Sequence, residues 1–342
     1  MPANVTIADV AQRVGVSPST VSHALSRKRP VSRKLRQQIE DAIKEMGYRP
    51  HFAARSLVSR KTGMIGLLVS ELYNPATGVL VEAFEKALFE RGYKMLLGLV
   101  LGDSARLESY LQEFGSGMVE GVINLDPNFE SSQLRRLLVG VPVITYLRPV
   151  ADTPVHIDHA AGVMQAMEHV WMLGHRQIGL ITADPRSRGG AGAGPRELGY
   201  RGFYFRQQVE VRPEWIAYGD WRMDTGYEHA ERLIRAGCTA IIAGNDLIAI
   251  GIIRRARELG LSVPADLSVV GFDDSPMALM TDPPLTTLQK KESDLARWTV
   301  EALIDRIEGR PPQQQRVVVP NLIVRGSTAA APATRTLHET KP

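Results

Sequence analysis

Residues 6–26 read TIADVAQRVGVSPSTVSHALS, and this stretch decides how the chain begins to fold. Ile7, Val10, Ala11 and Val14 recur at helical spacing on one face, with Thr6 placed to cap the helix and Gly15 to end it. After the turn GVS, Ser17 caps a second helix whose first position, Pro18, needs no N–H. This helix, PSTVSHALS, is expected to bury Val21, Ala24 and Leu25 and to expose Ser19, Thr20, Ser22 and His23. A third helix starts after Ser32, turns Leu35, Ile39, Ala42 and Met46 inward, and stops at Gly47. Two short helices joined by a tight turn and buttressed by a third make a helix-turn-helix unit. Its second helix suits a DNA major groove, N-terminal residues against base edges. A bundle with no ligand has the same apolar pattern, but the small exposed residues and the Arg and Lys around them favour DNA.

Charge follows the same division. Residues 1–61 hold 12 Lys+Arg against 4 Asp+Glu, whereas residues 62–342 hold 29 against 33. A basic head on a slightly acidic body predicts a polyanion partner for the head alone. A chain of 342 residues predicts two or three domains. No run reaches the roughly 18 apolar residues of a membrane span. The opening MPANVTIADVAQ lacks the basic and apolar segments of a secretory signal, so a cytoplasmic location is expected. The single cysteine, Cys238, excludes an intrachain disulfide and a cysteine-based zinc site within one chain.

Beyond residue 61 the pattern changes to apolar strands alternating with amphipathic helices. MIGLLVS, KMLLGLVL, EGVINL and PVITYL read as buried strands, separated by helices near 76–91, 104–115 and 130–139. QIGLITA, WIAYG, TAIIAG and LSVVGF form a second series, with helices from Arg196, Asp224 and Asn245. The expected fold class is therefore α/β: a three-helix head, then two similar lobes with parallel sheets and a cleft between them. Late segments, a strand near 285–289, a helix near 291–308 and a strand near 316–324, are expected to cross back between lobes. The tail 327–342 (STAAAPATRTLHETKP) reads as disordered. Open α/β sheets bind ligands at the carboxyl ends of their strands. Polar and aromatic residues recur there: Tyr73, Asn74, Asp158, Arg196, Trp221, Asn245 and Asp273. Each alone has a structural reading as cap, turn or core residue. Their shared location makes the group a candidate effector site.

TIADVAQRVGVSPSTVSHALSRKRPVSRKLRQQIEDAIKEMGYRP resembles the DNA-binding head of the LacI/GalR-type bacterial transcription regulators, and a looser resemblance runs to about residue 326. The resemblance implies a head at 1–49, a hinge helix at 50–61 and an effector-binding and dimerisation domain at 62–326, with lobes like those of periplasmic binding proteins. It implies that the hinge, PHFAARSLVSRKTG, orders on operator DNA and inserts Leu57 into the minor groove, with Ala54 beside it. A core leucine is the alternative for Leu57. It also implies that the arginine before LGY, the aromatic after GD, the GND segment and the first Asp of GFDD line the cleft. Three positions depart from the common family pattern. His51 stands for Asn in the linker, and His23 for Arg on the recognition helix, where a two-point contact to guanine is lost. Leu147 stands for an Asp that sugar-binding relatives carry, beside Tyr146, which offers a ring or hydroxyl.

The residues argue against an enzyme. In SRGGAGAGPREL, with Gly190 and Gly192 in place, a dinucleotide pattern would end on Pro195; the loop reads instead as a flexible lip of the cleft. There is no Walker loop and no G-x-S-x-G elbow. His156, Asp158 and His159 suggest a metal, but in a continuous strand His159 points away from the others. No cofactor or metal is expected. The expectation is a cytoplasmic, homodimeric regulator, most simply a repressor, that binds a pseudo-palindromic operator through Thr6, Ser17, Pro18, Ser19, Thr20, Ser22, His23, Ala54 and Leu57. Its effector, a sugar or another small polar metabolite, is expected to bind Tyr73, Asn74, Tyr146, Asp158, Arg196, Trp221, Asn245 and Asp273. The rival classes are a periplasmic-type binding protein and an α/β enzyme fused to a DNA-binding head.

Overall fold

Thr6 and Asp9 open the first helix with a reciprocal cap: Thr6 N donates to Asp9 Oδ2 at 2.7 Å, and Asp9 N donates to Thr6 Oγ1 at 3.4 Å. The structure is a computed structural model that describes residues 5–26, 31–48, 61–126, 134, 136–145, 155–184, 193–311 and 314–333. They belong to two units, Met1–Thr62 and Gly63–Pro342.

In the first unit, α1 (Ile7–Val14) ends at Gly15, whose φ of 75° is a left-handed turn conformation open to glycine. The helices α2 (Pro18–Ser26) and α3 (Arg33–Met46) follow. Val10, Ala11, Val21, Ala24, Ile39 and Ala42 form the core, with Ile7, Val14, Leu35 and Met46 packed at its margin. Leu25 departs from expectation: it is 39% exposed. It lies in the last turn of α2, and among the described residues it has no place in the core formed with α1 and α3.

The second unit has two lobes. In the first lobe, β1 (Met64–Val69), α4 (Pro75–Glu90), β2 (Lys94–Leu99), α5 (Ser104–Glu113), β3 (Gly121–Asn124) and β4 (Val143–Thr145) build a parallel sheet ordered β2-β1-β3-β4. Alternation along β1 sends Ile65, Leu67 and Val69 into one core and Leu68 into the other, so both faces are covered. After β5 (Val155–Ile157) the chain enters the second lobe at α6 (His159–Met172). There β6 (Ile178–Ala183), α7 (Pro195–Arg206), β7 (Ile216–Gly219), α8 (Met223–Arg235), β8 (Ala240–Ala243), α9 (Asp246–Glu258), β9 (Ser268–Asp273) and β10 (Thr286–Gln289) follow in order. The helix α10 (Glu292–Ile307) returns to pack Leu295, Val300 and Leu303 in the first lobe's core.

Two expectations are corrected. The apolar run near 316–324 is two strands, not one: β11 (Arg316–Val318) pairs with β5, and β12 (Asn321–Ile323) pairs antiparallel with β10. Pro320, which has no N–H for a ladder, stands between them. The second sheet is thus ordered β12-β10-β9-β8-β6-β7. The tail is also not free over its first residues. Ser327 is buried, donates through Oγ to Val269 O at 2.6 Å, and accepts from Thr286 N at 2.8 Å. Further on, Ala331 N donates to Leu173 O at 2.8 Å. Short side chains let this backbone lie flat against β9 and the end of α6. Residues 334–342 lie outside the described residues. No described helix is long and apolar enough to cross a membrane.

Candidate functional site

In the head, the polar start of α2 faces outward. Ser17, Pro18 and Ser19 are exposed, while Thr20, Ser22 and His23 are half-buried. Ser17 Oγ accepts from Thr20 N at 3.2 Å and lies 2.7 Å from Ser19 Oγ and 2.8 Å from Thr20 Oγ1. These hydroxyls form one small hydrogen-bonding group at a helix N-terminus, the end that favours phosphate. Thr6 is occupied differently: its hydroxyl donates to Asp9 Oδ2 at 2.7 Å. Ala54 and Leu57 lie outside the described residues, as does most of the 50–61 hinge.

In the second unit the strand ends converge at the passages between lobes. Asn74 caps α4 by accepting from Ala76 N at 3.0 Å, and its Nδ2 donates across the cleft to Asp273 Oδ2 at 3.3 Å. Asp273 ends β9 with a φ of 114° and is only 6% exposed. Its other oxygen meets Lys290 Nζ at 2.9 Å. Lys290 lies on the passage from β10 to α10, so one carboxylate joins the first lobe, the second lobe and a crossing segment. A second contact between lobes stacks the Arg222 guanidinium 4.9 Å from the Tyr73 ring centre. Both contacts are individually modest, on the order of 1–2 kcal/mol, and so are exchangeable for contacts to a ligand.

The wall of the second lobe is aromatic and cationic. Arg196, near the start of α7, lies 4.8 Å from the Trp221 ring centre and 4.3 Å from that of Phe272. Asn245 is buried, and its amide accepts from Ile248 N at 2.8 Å and donates to Trp221 O at 2.9 Å. Its visible part is to hold the Trp221 segment in place. Asp158 caps α6 by accepting from Ala161 N at 2.8 Å. That cap corrects the reading of His156–His159 as a continuous strand: β5 ends at Ile157 and His159 opens a helix, turned onto Phe272. No group of three His, Cys, Asp or Glu that could hold a metal occurs among the described residues. Tyr146 and the loop 185–192 lie outside those residues.

Sequence reading missed Phe272 and Lys290, and considered His159 only as a metal ligand. Lys290 was findable, since it follows the carboxyl end of β10 and the strand-end rule applies to it equally.

Below the cleft lies a buried carboxylate. Asp246 accepts from Ser275 N at 2.7 Å and Thr287 Oγ1 at 2.5 Å. Burial, then the nearby Asp273 charge, push its pKa up to about 7. The folded chain then holds a proton that the unfolded chain releases near pH 4, so this group's contribution to stability falls as pH rises between about 4 and 7. The slope is at most about 1.4 kcal/mol per pH unit. Asp246→Asn keeps both hydrogen bonds, because Thr287 Oγ1 can accept from the new amide. The variant is expected to flatten that decline in denaturant titrations at pH 5, 6, 7 and 8. An unchanged slope would mean that Asp246 is ionised throughout.

Comparison with known proteins bears on both units. Residues 6–51 match the bacterial regulatory proteins of the lacI family, and residues 167–328 match a periplasmic binding protein-like domain. The chain is 33% identical to the HTH-type transcriptional regulator MalR of Streptomyces coelicolor, over 96% of this chain and 98% of that protein. It is 32% identical to the HTH-type transcriptional repressor PurR of Klebsiella pneumoniae, again over 96% and 98%. Its fold matches the lac repressor dimer bound to operator and the anti-inducer ONPF with a TM-score of 0.84 and 28% identity, covering 95% of this chain and 99% of that one. With a helix-turn-helix head, a two-lobed effector domain and relatives matched almost end to end, the chain belongs to the LacI family of DNA-binding transcriptional regulators.

Proposed function

We propose that this regulator is a homodimeric repressor whose affinity for a pseudo-palindromic operator is set by a small polar metabolite in the cleft. The observation that carries the reading is the meeting of Asn74, Asp273 and Lys290, one from each lobe and one from a passage between them. A molecule that replaces the Asn74–Asp273 contact changes the angle between lobes, and that change is the signal. Trp221 and Phe272 supply a flat wall for a ring, and Arg196 and Asp273 supply directional hydrogen bonds. Tyr73 and Asn74 close the first-lobe side, Asp158 and Asn245 keep the walls in place, and Tyr146 is assigned to the rim.

In the head, Ser17, Pro18, Ser19, Thr20, Ser22 and His23 are assigned to the groove, Thr6 to the cap behind them, and Ala54 and Leu57 to the minor groove. Residues 1–49, 50–61 and 62–326 act as reader, hinge and sensor. The lac repressor relative is a dimer on its operator, which supports dimeric binding here. A cytoplasmic protein that associates with the nucleoid when operator-bound follows from this role. Operator selection from random duplexes, followed by anisotropy titration against a metabolite panel, tests the proposal. The selected sites are expected to contain half-sites about 10 bp apart. Affinity is expected to fall by about 10³-fold or more between 50 and 200 mM salt. Trp221→Ala is expected to keep DNA binding and lose the metabolite response. A variant that responds like the parent would refute the cleft assignment.

A further inference from the structure

We propose that residues 327–333 form a proton-released strap, which holds the base of the second lobe while His169 and His175 are neutral and lets go in mild acid. The strap lies at the end of the sheet opposite the cleft, so the proposal does not depend on the effector reading. Ser327 O accepts from Val269 N at 2.8 Å, and its hydroxyl accepts from Thr286 N at 2.8 Å. Ala329 N donates to Ser268 Oγ at 3.1 Å, and Ala331 N donates to Leu173 O at 2.8 Å. These bonds gather the starts of β9 and β10 and the end of α6 onto one segment. The opposite ends of the same elements lead to Asp273, Lys290 and Asp158. Letting go removes an anchor that all three share.

Two imidazoles pin the strap. His175 is 1% exposed. Its Nε2 lies 3.0 Å from Ala329 O and its Nδ1 2.8 Å from Thr239 Oγ1. A carbonyl oxygen only accepts, so Nε2 carries the hydrogen, and the bare Nδ1 accepts from the Thr239 hydroxyl. His169 Nε2 lies 2.9 Å from Thr328 Oγ1, the next residue along the strap. Protonation of His175 puts a hydrogen on Nδ1, against the hydroxyl that donates to it. The new charge is buried, and a buried charge is costly without a partner.

The surroundings supply none. The strap has no titratable side chain from 327 to 333, and Thr239 and Ser268 are uncharged. Arg325, just before the strap, is held by Asp274 at 2.6 Å. On α6 the neighbouring Glu168 is exposed, and neither imidazole makes an ion pair among the described residues. Burial, then the charges of His169 and Arg176, lower the His175 pKa and outweigh the bond to Ala329 O, which opposes them. Burial lowers that of His169. A released strap leaves both rings nearer the ordinary 6.5. The released state therefore binds protons first. The hold is complete above pH 6.5 and weakens as pH falls below it. Each histidine that takes its proton only after release weakens the hold by up to about tenfold between pH 7.5 and 5.5.

The test is hydrogen exchange of the full-length protein read by mass spectrometry at pH 7.5 and 5.5, as protection relative to the intrinsic rate at each pH. Protection of the strap is expected to fall about tenfold or more in acid, while that of β8 in the same lobe falls less. His175→Gln keeps a donor for Ala329 O and removes the titration, and His169→Gln does the same at a half-buried position. Each is expected to show a smaller fall than the parent. Should the buried variant fail to fold, His169→Gln alone carries the comparison. Strap protection that is equal at the two pH values, a fall kept in full by every folded variant, or a fall matched by β8 overturns the proposal.

Discussion

Replacing Asp273 by alanine is expected to destabilise the second unit by about 3–5 kcal/mol, the range for removing one partner of a buried ion pair. Lys290 is 9% exposed, and without Asp273 its ammonium keeps only Glu292, at 4.0 Å, within ion-pair distance among the described residues. The change also removes the acceptor for Asn74, so this hydrogen bond between the first lobe and β9 is lost. Backbone strain separates these effects from a general loss of packing. The φ of 114° at Asp273 is as unfavourable for alanine as for aspartate, whereas glycine adopts it freely. Asp273→Gly is therefore expected to be more stable than Asp273→Ala by about 1 kcal/mol or more, and equally unable to relay a metabolite to the operator. Denaturant titrations and operator anisotropy on the two variants check this. An alanine variant as stable as the parent would show that the Lys290–Asp273 pair contributes nothing.

Gly251→Ala is expected to be the second large effect, and its sign is the informative part. In an exposed helix this change stabilises by about 1 kcal/mol. Here a Cβ on Gly251 would stand 2.0 Å from Met223 O and 2.8 Å from Tyr227 N, backbone atoms of α8 that cannot rotate aside. Gly226, on α8, faces Ile248 O of α9 in the same way. The helices must separate, and the layer of Ala230, Ile248 and Ile252 beneath them opens with them. A net loss of about 2–3 kcal/mol is expected after the propensity gain is included. The reading is thermal unfolding of the whole chain. A stabilised variant would mean that the two helices are not in backbone contact.

Much of the fold follows from periodicity. The head helices carry their own start and stop residues, Thr6, Gly15, Ser17, Ser32 and Gly47, and the strands of both sheets are short apolar runs between amphipathic helices. What escaped reading had physical causes. All six residues of β9 are buried, so its alternation does not say which face a residue joins, and Phe272 passed as ordinary strand core. A continuous strand would point His159 away from His156 and Asp158, but the Asp158 cap turns the chain into a helix there. VVVPNLIV looks like one apolar strand because both halves are apolar, although Pro320 sends them to different lobes. The start of the tail has the composition of a disordered segment, yet Ser327 and Ala329 are bonded to β9. Asn74 and Asp273 were legible as strand-end residues. Their contact across 199 positions was not, because no local pattern records it.

The central claim is that the cleft and the operator share one conformational equilibrium, and linkage makes it directly measurable. The measurement is calorimetric titration of the panel metabolite that changes operator affinity, made on the full-length protein with and without saturating operator duplex. The account predicts that operator changes metabolite affinity by the same factor by which metabolite changes operator affinity. It also predicts that this factor falls to one in Asp273→Gly. A metabolite that binds the cleft with an affinity indifferent to operator would contradict it.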